Sequence, residues 1–263
     1  MSWLCIEVTV FSFLLLLITS NLPLPSSHAI KYFLFQVMAS ILFLMSSIIL
    51  RQHYFVIEIV LLIKLGAAPF HLWLINIADK ISFLNLIWVT VIQKIIPLRI
   101  ILILSWNTSM IYLMILSYTI GILHLVIQTK LINILIASSV YSTPWVVVRL
   151  FCYDSLGWIF FLLYCITQIT LIQLFLNHPL TPLKPKFLDI DTYSRIRLVL
   201  ILILAGFPPR PLFFLKLKVL ELVLNLLGIY IGFFLLLGRR VVMYNYLNIV
   251  MSNFTLGPRK SYF

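Results

Sequence analysis

The sequence predicts an all-α polytopic membrane protein of about nine spans, two of them broken and set in inverted register. Three observations lead there. Hydrophobic residues make up 63% of the 263 positions and the mean hydropathy is +1.13, which leaves too little polar surface to cover a soluble globule. The apolar residues come in runs of roughly 20 rather than alternating with polar ones, which selects helices over a barrel. Polar and proline-bearing punctuation divides the runs from one another.

Taken in order, the first run covers 1–20 and carries Glu7. It has neither the basic start of a signal peptide nor the Arg/Ser-rich pattern of a transit peptide, so it is expected to remain as a span. After a turn over 21–27 with Pro23 and Pro25, the second covers 28–50. The third, 54–76, reads Ile63-Lys64-Leu65-Gly66-Ala67-Ala68-Pro69-Phe70-His71. Pro69 removes a backbone donor and disturbs the preceding turn, so this helix should be interrupted. The fourth, 81–105, holds Gln93, Lys94 and Pro97, and the fifth, 108–127, holds His124. The sixth and seventh cover 131–150 and 155–177, and a stretch over 178–194 with Pro179, Pro182 and Pro185 leads to the eighth, 196–224. There Gly206-Phe207-Pro208-Pro209-Arg210-Pro211 puts three prolines in four residues, and no continuous helix survives that. The ninth covers 226–248, and the whole of 1–263 reads as one transmembrane domain.

A net charge of +12 would suggest nucleic acid in a soluble chain; here it is a topology signal and no nucleic-acid partner is expected. One set of alternating loops collects eleven basic residues, Lys31, Lys80, Lys130, Lys184, Lys186, Arg195, Arg197, Arg239, Arg240, Arg259 and Lys260, and the other only Arg51 and Arg149. That bias puts the N-terminus outside and the C-terminus inside, with an odd number of spans. The third span then runs inward and the eighth outward. Their breaks share a Gly-x-x-Pro spacing, Gly66 to Pro69 and Gly206 to Pro209, and they have opposite orientations, as inverted repeats in transporters do. Lys64 precedes its break and Lys216 follows its own, so both amines fall on the outer side.

Charges at this depth are costly, roughly 2.5–3.5 kcal/mol at a helix centre, and irregular backbone there lines protein or water. Lys64, Lys94 and Lys216 are therefore the candidate proton-transfer residues. Glu7 lies a third of the way into its span and is the natural partner for Lys64. Lys218 and Glu221 have the i, i+3 spacing of a helical ion pair, and Lys216 points about 200° away from Lys218. His71 and His124 are secondary candidates because imidazole titrates near neutral pH. Arg99 stays charged and reads as structural. Glu58, nearer an outer end, reads equally as an accessory acid or an interfacial residue. Cys5, Cys152 and Cys165 are far apart in apolar runs and read as packing residues. There is no CxxC, GxGxxG or Walker sequence, so no haem, iron–sulfur or nucleotide site and no metal site is expected in this chain.

These same residues carry a likeness. Trp3-Leu4-Cys5-Ile6-Glu7, Ala29-Ile30-Lys31-Tyr32-Phe33-Leu34, the run from Lys64 through Pro69, Phe70 and His71 to Trp73, the pair Gln93-Lys94 before Pro97, and Gly206-Phe207-Pro208-Pro209 followed by Lys216 resemble the subunit 2 family of mitochondrial NADH–ubiquinone oxidoreductase, respiratory complex I. The resemblance implies an antiporter-like membrane subunit without a redox cofactor, in which Glu7 with Lys64, then Lys94, then Lys216 form a charged proton-transfer axis. It also implies partner subunits that hold flavin, iron–sulfur clusters and ubiquinone. It further implies neighbouring antiporter-like and accessory subunits and lipid as partners, and the mitochondrial inner membrane, with the N-terminus in the intermembrane space and the C-terminus in the matrix. It covers residues 1 to about 248, and against the family pattern a helix before the Glu-bearing one and a last helix are expected to be missing. In Ala137-Ser138-Ser139-Val140-Tyr141-Ser142-Thr143-Pro144-Trp145, Ser142 stands where the family has His and Pro144 where it has Gly. A hydroxyl holds water but does not titrate near neutrality, so transfer there should depend on water. Arg210 and Pro211 also depart from the family pattern. The competing readings are a stand-alone cation/proton antiporter and a structural subunit with a closed channel.

Overall fold

A computed structural model describes residues 2–19, 26–48, 54–78, 82–103, 108–128, 130–152, 154–177, 192–208 and 210–255. These are helical apart from the turns between helices, with no strand among the described residues. In chain order the helices are α1 (Ser2–Thr19), α2 (Ser26–Ile48), α3 (Tyr54–Leu65), α4 (Leu72–Ala78), α5 (Phe83–Ile87), a π-helical turn over Trp88–Ile92, and α6 (Gln93–Ile103). There follow α7 (Thr108–Ile127), α8 (Leu131–Cys152), α9 (Asp154–Asn177), α10 (Thr192–Ala205), α11 (Pro211–Leu227) and α12 (Ile229–Thr255). Of the turns expected over 21–27 and 178–194, residues 21–25 and 178–191 lie outside the described residues, as does Pro209.

Among the described residues five segments are long and apolar enough to cross a membrane: Ala29–Ser47, Leu84–Ile103, Met110–Ile127, Ile132–Phe151 and Leu156–Leu176. The chain is thus a multi-pass membrane protein, with fewer such segments than the expected nine. The difference has local causes. The breaks divide α3 from α4 and α10 from α11, leaving each piece short, α1 provides a shorter apolar helix over Trp3–Thr19, and Arg239 and Arg240 interrupt the apolar run of α12.

Both breaks are built alike. At the end of α3 the Gly66 N–H bonds Ile63 O at 3.1 Å and the Ala67 N–H bonds Leu62 O at 2.9 Å; at the end of α10, Gly206 bonds Ile203 O at 2.9 Å and Phe207 bonds Leu202 O at 3.1 Å. This is the paired closure of a Schellman motif, and it requires a left-handed residue that only glycine adopts at no cost. Gly66 has φ +62° and Gly206 φ +74°. The glycine therefore stops each helix, and the prolines that follow keep it stopped.

The π turn before Lys94 has a similar cause. Pro97 supplies no N–H to the Gln93 carbonyl four residues back and crowds that turn, and the chain widens just ahead of it, with the Gln93 N–H reaching Trp88 O. The core is α8: 89% of its apolar stretch is buried, against 33–50% for the other long apolar helices, so residues on every face of α8 meet protein.

One topology reading needs correction. Arg239 and Arg240 belong not to a loop but to the middle of α12, and Arg239 is 4% exposed. Lys31, Arg195 and Arg197 lie in the first turns of α2 and α10, and Arg149 is buried in the last turn of α8.

Candidate functional site

The sequence candidates fall into two clusters joined by α8. On one side, Lys94 of α6 is 4% exposed and donates to Ser139 O at 2.7 Å and Thr143 Oγ1 at 3.0 Å, both on α8. Thr143 and Ser142 also donate to Ser139 O, at 2.7 and 3.1 Å, so one carbonyl gathers an ammonium and two hydroxyls. One residue on, Pro144 supplies no N–H to the Val140 carbonyl four residues back.

On the opposite side, Lys216 of α11 is 2% exposed. It reaches back across its own break to Leu204 O at 3.4 Å and lies over the Tyr141 ring, 5.1 Å from the centroid. A cavity opens between it and α8, lined among others by Ser138, Tyr141, Ser142, Tyr164, Tyr246 and Lys216. Its room for a water-sized sphere is about 10 Å³, near the roughly 10–15 Å³ that one water occupies by that measure. Gln168 of α9 completes this wall, donating to Ser138 Oγ at 2.8 Å and Tyr164 OH at 2.7 Å. Ser142 thus faces both clusters, through Ser139 O towards Lys94 and through the cavity towards Lys216.

Lys64 starts the row. It is 3% exposed, and its Nζ donates to Gln36 O of α2 at 2.7 Å. Glu7, half-buried on α1, acts on Lys64 through space but makes no ion pair with it; the direct Glu7–Lys64 contact expected from sequence is replaced by the α2 carbonyl. Between Lys64 and Lys94 stand Gln36, whose fully buried side-chain amide finds no protein partner, and Gln93, which donates to Tyr32 OH at 2.6 Å while its Oε1 has none. Buried amides of this kind normally bond protein or water.

The remaining candidates separate. His71 and His124, 53 residues apart in sequence, meet edge to face with centroids 5.1 Å apart, and Gln128 touches His124 Nε2 at 3.2 Å. Glu58 is buried at 2% exposure in the first turns of α3, and Arg99 is exposed. Lys218 and Glu221 are exposed on α11, and no ion pair joins them despite their spacing. Among the cysteines Cys165 is buried and Cys5 is exposed on α1, and both are free thiols; the Cys152 side chain lies outside the described residues.

Sequence reasoning missed Arg239. Its Nη2 donates to Gly206 O at 3.2 Å and its guanidinium stacks on Phe213 at 4.4 Å, close enough to act on Lys216. It also passed over Gln36, Gln168, Ser138, Ser139 and Thr143 as functional groups. Their signal was present: polar side chains in apolar spans, three of them on α8 within six residues of one another.

No family model matches the chain. Over 258 residues it is 31% identical to NADH-ubiquinone oxidoreductase chain 2 of Artemia franciscana, covering 95% of this chain and 82% of that protein. Proteins of the same name from Lumbricus terrestris and Didelphis virginiana are 28% identical over 271 residues and 27% over 272, covering 97% and 96% of this chain and 81% and 78% of the relatives.

Proposed function

The chain belongs to the NADH-ubiquinone oxidoreductase chain 2 family, and from that membership we propose that it is a membrane-arm subunit of a respiratory NADH:ubiquinone oxidoreductase that carries protons through buried lysines. In this reading the protein lies in the mitochondrial inner membrane, N-terminus towards the intermembrane space. Flavin, iron–sulfur and ubiquinone chemistry belongs to partner subunits, and electron transfer there drives proton movement here. The inverted register of the two breaks gives the subunit its antiporter-like character.

The observation that carries the reading is the placement of Lys94 and Lys216 on opposite sides of one buried, hydroxyl-rich helix, each within reach of Ser139–Thr143 or of the Ser138–Ser142 cavity. A Lys216 ammonium that loses its proton to a water in that cavity leaves a neutral amine able to take another, and Ser142, which lines the cavity and shares the Ser139 carbonyl with Lys94, is the group through which that exchange would extend to Lys94. Lys64, with Glu7 acting on it and Gln36 and Gln93 leading to Lys94, extends the row towards α1. Ser142, where the family has His, serves by holding water rather than by titrating. His71 and His124 form a side branch near the first break.

Lys94→Met tests this in the assembled complex. Assembly and NADH oxidation are expected to persist while the number of protons moved per electron falls. An unchanged ratio would favour the structural reading, which the small size of the cavity supports. Ion exchange by the isolated chain in liposomes would instead favour a stand-alone antiporter.

A further inference from the structure

The charges that the lysine row leaves out lie on the outer face of α11 and α12. Phe214, Leu217, Lys218, Glu221 and Asn225 are all exposed, and their spacing of three and four residues makes one continuous stripe of α11. α12 turns back directly after Gly228 and exposes Arg240. Counted from that tight turn, which the sequence reading sets at the membrane surface between its eighth and ninth spans, a rise of about 1.5 Å per residue puts Lys218 about 15 Å, Glu221 about 10 Å and Arg240 about 18 Å along their helices. The hydrocarbon layer is about 30 Å thick, so both cations stand near its middle. Lys31 and Arg99 are exposed too, but they lie within two turns of a helix end, where a long stem reaches the headgroups.

Among the described residues, Lys218, Glu221 and Arg240 make no hydrogen bond or ion pair. A charge turned towards acyl chains at mid-depth is among the costliest placements a membrane helix can adopt, and such residues normally face protein or water. Lipid offers no counter-charge there. A second copy of this chain would bring the same surplus of two cations over one acid.

We propose that this face of α11 and α12 seats a membrane-spanning helix of a neighbouring subunit that carries a carboxylate at mid-membrane depth against Lys218 and Arg240. The inference rests on the reading of the chain as a subunit of a membrane assembly. It names the face through which that assembly continues and the chemistry that recognises it: buried carboxylate against ammonium and guanidinium, with Phe214 and Leu217 as the apolar surround.

A photoreactive diazirine amino acid at Leu217, in the intact membrane complex, tests the proposal. The expected result is an adduct on a transmembrane segment of another subunit that contains Asp or Glu at matching depth. Adducts to lipid alone, to a second copy of this chain, or to a segment without an acidic residue would overturn it. As a second measurement, Lys218→Glu with Arg240→Glu is expected to lower retention of that neighbour in mild detergent by roughly tenfold or more, with the variant chain still folded by its own trypsin resistance. Retention equal to wild type would overturn the proposal equally. Neither readout involves proton stoichiometry, so an unchanged ratio in Lys94→Met would leave this result standing and the reverse holds as well.

Discussion

The two breaks use one backbone device and surround it with different charges. Each helix closes on a left-handed glycine with the same pair of hydrogen bonds, and each sets a buried lysine beside the interruption. At the first, the exposed end of α3 is covered by a neutral group, the Trp73 indole donating to Ile63 O at 3.3 Å, while Lys64 looks away to α2 and has Glu7 acting on it. At the second, the side chains on the end of α10 are cations, Lys216 on Leu204 O and Arg239 on Gly206 O, while Arg210 reaches Val199 O further back along the helix. The carbonyl end of α10, equivalent to roughly half a negative charge, is the counter-charge these cations share. The shared glycine turn therefore fixes where an amine sits, and the neighbours decide what balances its charge.

Substitutions break the comparison in graded steps. Gly66→Ala should be the most damaging of the backbone changes. A left-handed non-glycine residue costs about 1–2 kcal/mol, and the new Cβ would lie 2.0 Å from Leu74 Cδ1, adding overpacking of about 1–3 kcal/mol. Gly206→Ala meets only the flexible Lys216 stem, at 3.4 Å, so it should cost about the backbone strain alone, 1–2 kcal/mol. Unfolding of the purified complex, followed by release of this chain, would read the two in parallel; equal losses would mean that the breaks are not packed as differently as described. Trp73→Phe should cost less, about 0.5–1.5 kcal/mol for one hydrogen bond, while Arg239→Met, which uncaps the second break and loses the Phe213 stack, should exceed it in the same assay.

Much of this difference was readable in the sequence and some was not. Gly66 with Pro69 and Gly206 with its prolines announce interruptions because backbone chemistry is local. Lys64, Lys94 and Lys216 stand out because few charges occur in such apolar surroundings. Arg239 did not, since a pair of adjacent arginines reads like the end of a span, and only the packing of α12 against α10 and α11 shows it buried. The Lys64–Gln36 carbonyl bond and the His71–His124 contact escaped for a related reason: side-chain pairing across distant helices has no spacing rule to betray it. The π turn ahead of Lys94 has a local cause in Pro97, but a proline predicts disturbance without specifying its form.

The central claim is that Lys94 and Lys216 work on one path through α8, and a double-mutant cycle on protons moved per electron tests it most directly. Lys94→Met and Lys216→Met should each lower the ratio, and the double variant should lower it no further than either alone, as groups acting as a unit do. Losses that add in the double variant would contradict the account, because two independent routes would then exist where one is described.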